Sequence, residues 1–222
     1  MDGNTKSGYI SYRKENSFKL ISEANLIRLQ NLTMQKICRH LADFVYKNVS
    51  LLVVHRELVS PPALTECNLE VECQLIDVNY KKQINRLSNL AVERIEEFFR
   101  NGAKCLGVFY QSELIAYSWC HYIDHYFPFF NYYIDVTDGV YIGPDFVSAD
   151  YRGNRIHGYV LTRMFAMLYE DGYRYVLGSV LHNNHASIKG LKSVGFTPKQ
   201  RIKTVKILKK PVYKTIHMIE NW

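Results

Sequence analysis

The stretch Arg152-Gly153-Asn154-Arg155-Ile156-His157-Gly158 gathers two guanidinium groups, an imidazole and two glycines into seven positions. At the start of a helix, residues of these types bind anions. The first backbone N–H groups of a helix have no internal partner. They stand at the positive end of the helix dipole, where phosphate is favoured. Arg152 and Arg155 add full charge beside them. The ordinary alternative is a glycine turn joining any strand to any helix. A second polar stretch, Asn184-His185-Ala186-Ser187, opens another helix, with Asn184 a sound N-cap. A third, His121-Tyr122-Ile123-Asp124-His125-Tyr126-Phe127-Pro128-Phe129-Phe130-Asn131-Tyr132-Tyr133, is dense in rings. Its rings suit the flat face of a base or sugar, with Asp124, Asp135 or Asp138 holding hydroxyls. Its ordinary reading is a satellite hydrophobic cluster or a dimer contact.

Several elements must position these groups. Val140-Tyr141-Ile142 and Phe146-Val147 have the β-branched and aromatic content of a buried strand. Ile156, Val160, Met164, Met167 and Leu168 fall at helical spacing, which predicts a helix to Glu170. Tyr175–Val180 reads as a strand and Asn184–Val194 as a helix stopped by Gly195. Upstream, Val71–Ile76 is a strand. Tyr80 to Asn101 is one helix with Ile84, Leu87, Leu90, Ala91, Ile95 and Phe98 on one face, closed by Asn101-Gly102. Cys105–Tyr110 and Leu114–Trp119 make a hairpin about Gln111-Ser112-Glu113. Lys203–Leu208 and Val212–Ile219 make the last one. Before these, Met1–Ser7 is loose, Tyr9–Tyr12 is a short edge strand, Ser17 to Tyr46 holds one or two helices, and Leu51–His55 is a strand. Ser60-Pro61-Pro62 is the candidate boundary. Residues 1–62 then form an N-terminal strand-helix-strand extension packed on a core domain over 63–222.

Composition narrows the classes. The chain has 222 residues and is 47% hydrophobic, enough for a real core and against disorder. The net charge of +7 admits nucleic acid, but the basic residues are spread over both termini without a nucleic-acid motif. A small phosphorylated ligand accounts for it better. Cys38, Cys67, Cys73, Cys105 and Cys120 lack metal-ligand spacing and read as reduced residues of a cytoplasmic protein, with no metal expected. No signal pattern and no membrane-spanning apolar run is evident.

The two motif stretches together resemble the GNAT superfamily of acyl-CoA-dependent N-acyltransferases. That family shows a strand ending V-x-P-x-[YW]-R-G, a helix opened by [QR]-x-x-G-x-[GA], and a later N-x-x-S/A-I followed by G-F. Val147, Tyr151, Arg152, Gly153, Asn184, Ser187, Ile188, Gly195 and Phe196 match in identity and spacing. The resemblance implies an α/β GNAT fold: a central mixed twisted sheet flanked by helices. It implies acyl-CoA as co-substrate, lying between two parallel strands that splay apart, Tyr141–Ser148 and Tyr175–Val180. Backbone groups of Phe146, Val147 and Ser148 would pair with pantetheine, and Arg152, Gly153, Asn154, Arg155, Ile156, His157 and Gly158 would cradle the pyrophosphate. Asn184 and Ser187 would touch the ligand, cap the helix, or both.

The departures lie at Arg155 and His157, where the family has a glycine and a small residue, at Ala149, where it often has proline, and at Leu191, where it often has a tyrosine acid. The implied chemistry is acetyl or short-acyl transfer to a primary amine by direct attack in a ternary complex. A carboxylate on the strand before the loop is the implied general base, which makes Asp145 the candidate. Two residues before Val147, it is expected on the same strand face as Tyr141, the second catalytic candidate. Its alternative role is to accept a turn hydrogen bond. Acceptor contacts are expected from His121, Tyr122, Asp124 and Tyr126. The layout also resembles GNAT enzymes that modify nucleotide-linked amino sugars. A monomer or homodimer is expected. A non-catalytic acyl-CoA-binding or partner-binding module is the alternative that Arg155, His157 and Leu191 keep open.

Overall fold

The computed structural model describes residues 46–222 except Asp138 and Lys209. The expected edge strand Tyr9–Tyr12, Cys38 and all but the last residue of the helical stretch expected from Ser17 to Tyr46 lie outside the described residues; Tyr46 itself begins a strand. The chain divides into two compact units, one of Met1–Lys47 with Val205–Val212, the other of Asn48–Thr204 with Tyr213–Trp222.

In chain order the described strands are β1 (Tyr46–Glu57), β2 (Glu72–Ile76), β3 (Lys104–Tyr110), β4 (Glu113–His121), β5 (His125–Phe127), β6 (Tyr132–Ile134), β7 (Val140–Val147), β8 (Tyr175–Leu181), β9 (Thr197–Ile207) and β10 (Lys210–Met218). The described α-helices are α1 (Lys81–Ser88), α2 (Val92–Arg100), α3 (Ile156–Glu170) and α4 (His185–Ser193). Eight strands form one mixed sheet in the order β10-β9-β1-β8-β7-β4-β3-β2, and β5-β6 form a separate hairpin. The strand that the sequence assigns to the extension, β1, is therefore an interior strand. It runs antiparallel to β8 from Leu51↔Leu181 to Glu57↔Tyr175.

Alternation along the strands divides the core between two faces. One face packs on α3, where Ile156, Val160, Leu161, Met164, Phe165 and Leu168 meet Leu52, Val54, Ala116, Cys120, Ile142, Val176 and Val180. The other face carries Tyr117 and Trp119 against Ile84, Ile95 and Phe98 of the first two helices. It continues as Leu51, Val53, Tyr141 and Leu177 against Phe130 and Ile134 of the hairpin region.

The expected single helix over Tyr80–Asn101 is two. Asn89 adopts the left-handed conformation (φ 59°) and ends α1, while Ser88 Oγ donates back to the Ile84 carbonyl within α1 and Asn85 Nδ2 donates to the Leu90 carbonyl across the break. Short polar side chains that bond the nearby backbone favour such stops. The other core elements appear where the periodicity puts them, the last hairpin with a longer first strand.

Candidate functional site between two parting strands

Strands β7 and β8 are parallel and pair at only three positions, Val140↔Val176, Tyr141↔Leu177 and Ile142↔Gly178. The ladder then stops, for a reason visible in the next two residues. Gly143 has φ 130°, which side chains resist, and Pro144 has no N–H to continue the pairing. On the other edge of β7, the register with β4 moves from Cys120↔Ile142 to Ser118↔Asp145, so β7 carries one extra residue, a bulge.

The bulge corrects the expectation that Tyr141 and Asp145 share a face. Tyr141 packs with Leu51, Leu177 and the hairpin aromatics. Asp145 points to the opposite face, where Ser118 Oγ donates to its Oδ1 at 2.6 Å and His157 Nε2 lies 3.5 Å from its Oδ2. The alternation also corrects the backbone expectation. Ser148 N–H donates to the Ile115 carbonyl at 2.8 Å, so Ser148 and Phe146 face β4. The groups on the open edge belong to Asp145 and Val147, and Arg152 Nε donates to the Val147 carbonyl at 3.3 Å.

Into the gap opens a cavity of about 350 Å³. From the α3 side it is walled by Asp145, His157, Asn184, Ser187 and Leu191, and from the other side by Tyr141, Leu51, Phe127 and Phe130. It thus reaches both faces of the sheet where β7 and β8 part. Ser179 lines it as well and shares a 3.0 Å hydrogen bond with the Tyr141 hydroxyl. Burial drives the Tyr141 phenol well above its ordinary pKa, with the Ser179 hydrogen bond a smaller opposing effect. Tyr141 is therefore a neutral hydroxyl at working pH.

The stretch from Arg152 to Gly158 is the expected turn into a helix, with one strained residue. Arg155 is the N-cap of α3 at φ 62°, and Tyr159 N–H donates to the Arg155 carbonyl as the helix begins. The N–H groups of Ile156, His157 and Gly158 are the orphan donors of this turn. Arg152, Gly153 and Arg155 are exposed. Asn154 bonds the Tyr151 carbonyl through Nδ2, and its own carbonyl accepts from Asn68 N–H. Gly158 faces Thr65, whose Cγ2 lies 3.3 Å from where a Cβ would stand, so this glycine serves packing. His157 turns inward. A Cβ on Gly190 of α4 would lie 2.7 Å from its Nδ1, so the bulk at His157 is matched by its absence at Gly190. Asn184 caps α4, its Oδ1 accepting from Ser187 N–H at 3.2 Å, while both residues also line the cavity.

The four expected acceptor residues do not line the cavity. His121 is 3% exposed and donates from Nε2 to the Gly143 carbonyl at 2.8 Å. Tyr122 stacks obliquely on Tyr173, past the C-terminal end of α3, and accepts from Cys120. Asp124 accepts from Val136 N–H and ties down the hairpin. Tyr126 donates to Asn131 Oδ1. The same ring-dense stretch does reach the cavity through Phe127, set edge-on to Tyr141 at 5.8 Å, and Phe130. Ser118, Ser179 and Gly190 were missed because their roles depend on register and helix packing. Only Gly190, a glycine inside a helix, left a mark in the sequence. Among the described residues no group of ligands suits a metal ion, and no helix is long and apolar enough to cross a membrane.

No family model matches the chain, and no curated protein matches it. Solved structures do. A GCN5-related N-acetyltransferase from Sphaerobacter thermophilus aligns at TM-score 0.58 and 14% identity over 78% of this chain and 56% of that one. A GNAT-family acetyltransferase from Colwellia psychrerythraea aligns at TM-score 0.52 and 18% identity over 73% and 56%. This chain spans little more than half of either structure. What it shares with them is the fold, a large mixed sheet flanked by helices in the GNAT arrangement.

Proposed function

We propose that this protein transfers an acetyl or short acyl group from acyl-CoA to a primary amine, by direct attack with both substrates bound. The observation that carries this reading is the cavity between β7 and β8, walled by residues from both sheet faces beside a helix N-terminus with free N–H groups. The residues present suit the donor. Open-edge backbone of Asp145 and Val147 offers strand-like pairing to the pantetheine amides. The first turn of α3, with Arg152 and Arg155, offers donors and charge to the pyrophosphate. The bound thioester supplies the activated acyl group. Leu51, Phe127, Phe130 and Tyr141 shape the opposite mouth for the amine, and Asp145 and His157 are the titratable groups on the donor side.

The layout of the chain points to a nucleotide-linked amino sugar as acceptor. Among the described residues no Lys or Arg lines the cavity to meet its phosphates, so arylalkyl amines belong in the same panel. The non-catalytic module is a second reading, favoured by buried, apolar Leu191 in the cavity wall. Thermal melts and calorimetry with acetyl-CoA and CoA, then thiol release across the amine panel, decide between them. A ligand that binds only the folded state raises the melting midpoint. Binding with release supports the transferase, and binding without release supports the module. Arg152→Ala should weaken CoA affinity about tenfold, by loss of a charge-assisted contact. Unchanged affinity would remove the loop from the site.

A further inference from the structure

Where the ladder between β7 and β8 stops, two side chains take over from it. Ser179 stands two residues beyond Leu177, the ladder partner of Tyr141, so its side chain leaves β8 on the face of the Tyr141 ring. The Tyr141 hydroxyl reaches forward to Gly143, 3.0 Å from where a Cβ would stand, and shares its 3.0 Å hydrogen bond with Ser179 across the gap. Both residues line the cavity. Two hydroxyls carry two hydrogens, and their mutual bond uses one. Among the described residues neither has another hydrogen-bond partner, so one O–H is unspent. The rest of the wall on this face is apolar, formed by Leu51, Phe127 and Phe130. A lone donor in an apolar wall fixes one acceptor atom of a ligand.

The position of the pair says which atom. Counted back from the first turn of α3, the free edge groups of β7 belong to Val147 and then Asp145, and Gly143 stands next toward the ladder. A pantetheine arm paired along that edge carries its thioester toward Gly143, an arm's length from the pyrophosphate. Pro144 has no N–H to offer there. The lone pair of the amine is committed to attack, which leaves the thioester oxygen as the acceptor. Resting on the acyltransferase reading, we infer that the paired hydroxyls of Tyr141 and Ser179 donate to the thioester carbonyl oxygen of acyl-CoA. As the amine nitrogen bonds to the carbonyl carbon, negative charge gathers on this oxygen. A donor held ready in an apolar wall stabilises it. The carbon–sulfur bond then breaks, the sulfur leaves as thiolate and the amine sheds its proton to water. Both hydroxyls keep their hydrogens throughout.

The experiment uses the full chain with carbonyl-labelled acetyl-CoA and free CoA as probes. In infrared difference spectra without amine, wild type should hold the bound carbonyl band at or below its position in water. Calorimetry should show acetyl-CoA binding about threefold to tenfold more tightly than CoA, the worth of one neutral hydrogen bond. Tyr141→Phe and Ser179→Ala each leave one O–H and should keep part of both effects. The double variant should move the band up, to the place of an unbonded carbonyl, and bind CoA within about threefold of wild type. With an amine that wild type acylates, it should release thiol roughly 100-fold more slowly. Ser179→Thr keeps a hydroxyl and should keep the band, which separates the hydrogen bond from packing. A wild-type band above the aqueous position overturns the inference, whether or not the variants fold. So does a double variant that keeps the wild-type band, or that releases thiol within threefold of wild type. The band decides the contact even where no amine of the panel is acylated. Wild type that binds neither probe sinks the acyltransferase reading, and this inference with it.

Discussion

At the level of single residues, Arg155 carries the clearest conflict between backbone and side chain. It holds φ 62° at the N-cap of α3, where the GNAT pattern has glycine. A left-handed non-glycine residue costs roughly 1 kcal/mol, and glycine there would return about 0.4–1 kcal/mol to the unfolded chain as entropy. Arg155→Gly should therefore leave the urea midpoint nearly unchanged, within about 1 kcal/mol of wild type. Its effect should fall on the ligand instead. CoA affinity should drop several-fold at low salt and converge with wild type at high salt, because an exposed guanidinium acts mainly through screened charge. A loss of stability beyond 2 kcal/mol would mean that the side chain braces the loop. Equal affinity at low salt would mean that Arg155 points away from the phosphates.

Elements decide where the cavity-lining groups meet. The approach of α3 to α4 is set by the exchange of bulk between His157 and Gly190. Gly190→Ala supplies a better helix former, worth up to about 1 kcal/mol. Its Cβ would stand 2.7 Å from the His157 ring, which must turn away from Asp145. The variant should melt at or above the wild-type temperature and bind CoA several-fold more weakly, because the displaced ring enters the cavity that His157 lines. A variant that melts normally and binds normally would show that the ring position is immaterial.

Much of this frame was legible in sequence. The apolar spacing of Ile156, Val160 and Met164, the Asn184 cap and the Gly195 stop place α3 and α4 correctly. The turn from Arg152 to Gly158 into a helix was legible from residue types alone. The bulge was not legible, because Gly143-Pro144 inside an apolar run does not say which edge pairs or which face each later residue takes. One extra residue inverted the relation of Tyr141 to Asp145 and decided which amides stay free. The break at Asn89 escaped for a related reason: Ile84, Leu87, Leu90, Ile95 and Phe98 keep a helical rhythm across it. The ring content of residues 121–133 marked a wall of the site. Which rings turn inward depends on how the β5–β6 hairpin folds over the sheet, and that is tertiary information.

On the scale of the whole molecule, the site is tied to a histidine pair, one buried and one half-buried, that makes its frame sensitive to acid. His121 and His125 lie with ring centroids 4.9 Å apart among Phe98, Trp119 and Tyr141. Burial lowers His121 to about 4, with Arg94 adding to the effect and the Gly143 carbonyl opposing it. Burial, then the His121 charge and Arg94, lower His125 to about 3. Both folded-state values lie below the ordinary 6.5, so the unfolded chain binds protons first. Their contribution is intact above pH 6.5 and is lost as pH falls toward 4. For His121 alone, linkage gives about 2 kcal/mol lost by pH 5. His125 adds less than its shift suggests because it is more open to solvent. Glu96 and Asp135, whose pKa values are lowered, weaken the fold only below their own unfolded values of 4.5 and 3.8. The window from pH 6.5 to 5 therefore belongs mainly to histidine. Over it the melting temperature should fall by roughly 4–8 °C. His121→Asn, which can still donate toward the Gly143 carbonyl but does not titrate, should flatten that slope even if it lowers stability at pH 7. An unaltered slope in the variant would move the acid sensitivity elsewhere. Because His121 holds the carbonyl of the bulge residue, the same protonation should loosen the parting of β7 and β8. CoA affinity measured between pH 6.5 and 5 should decline with the stability in wild type, and decline less in His121→Asn.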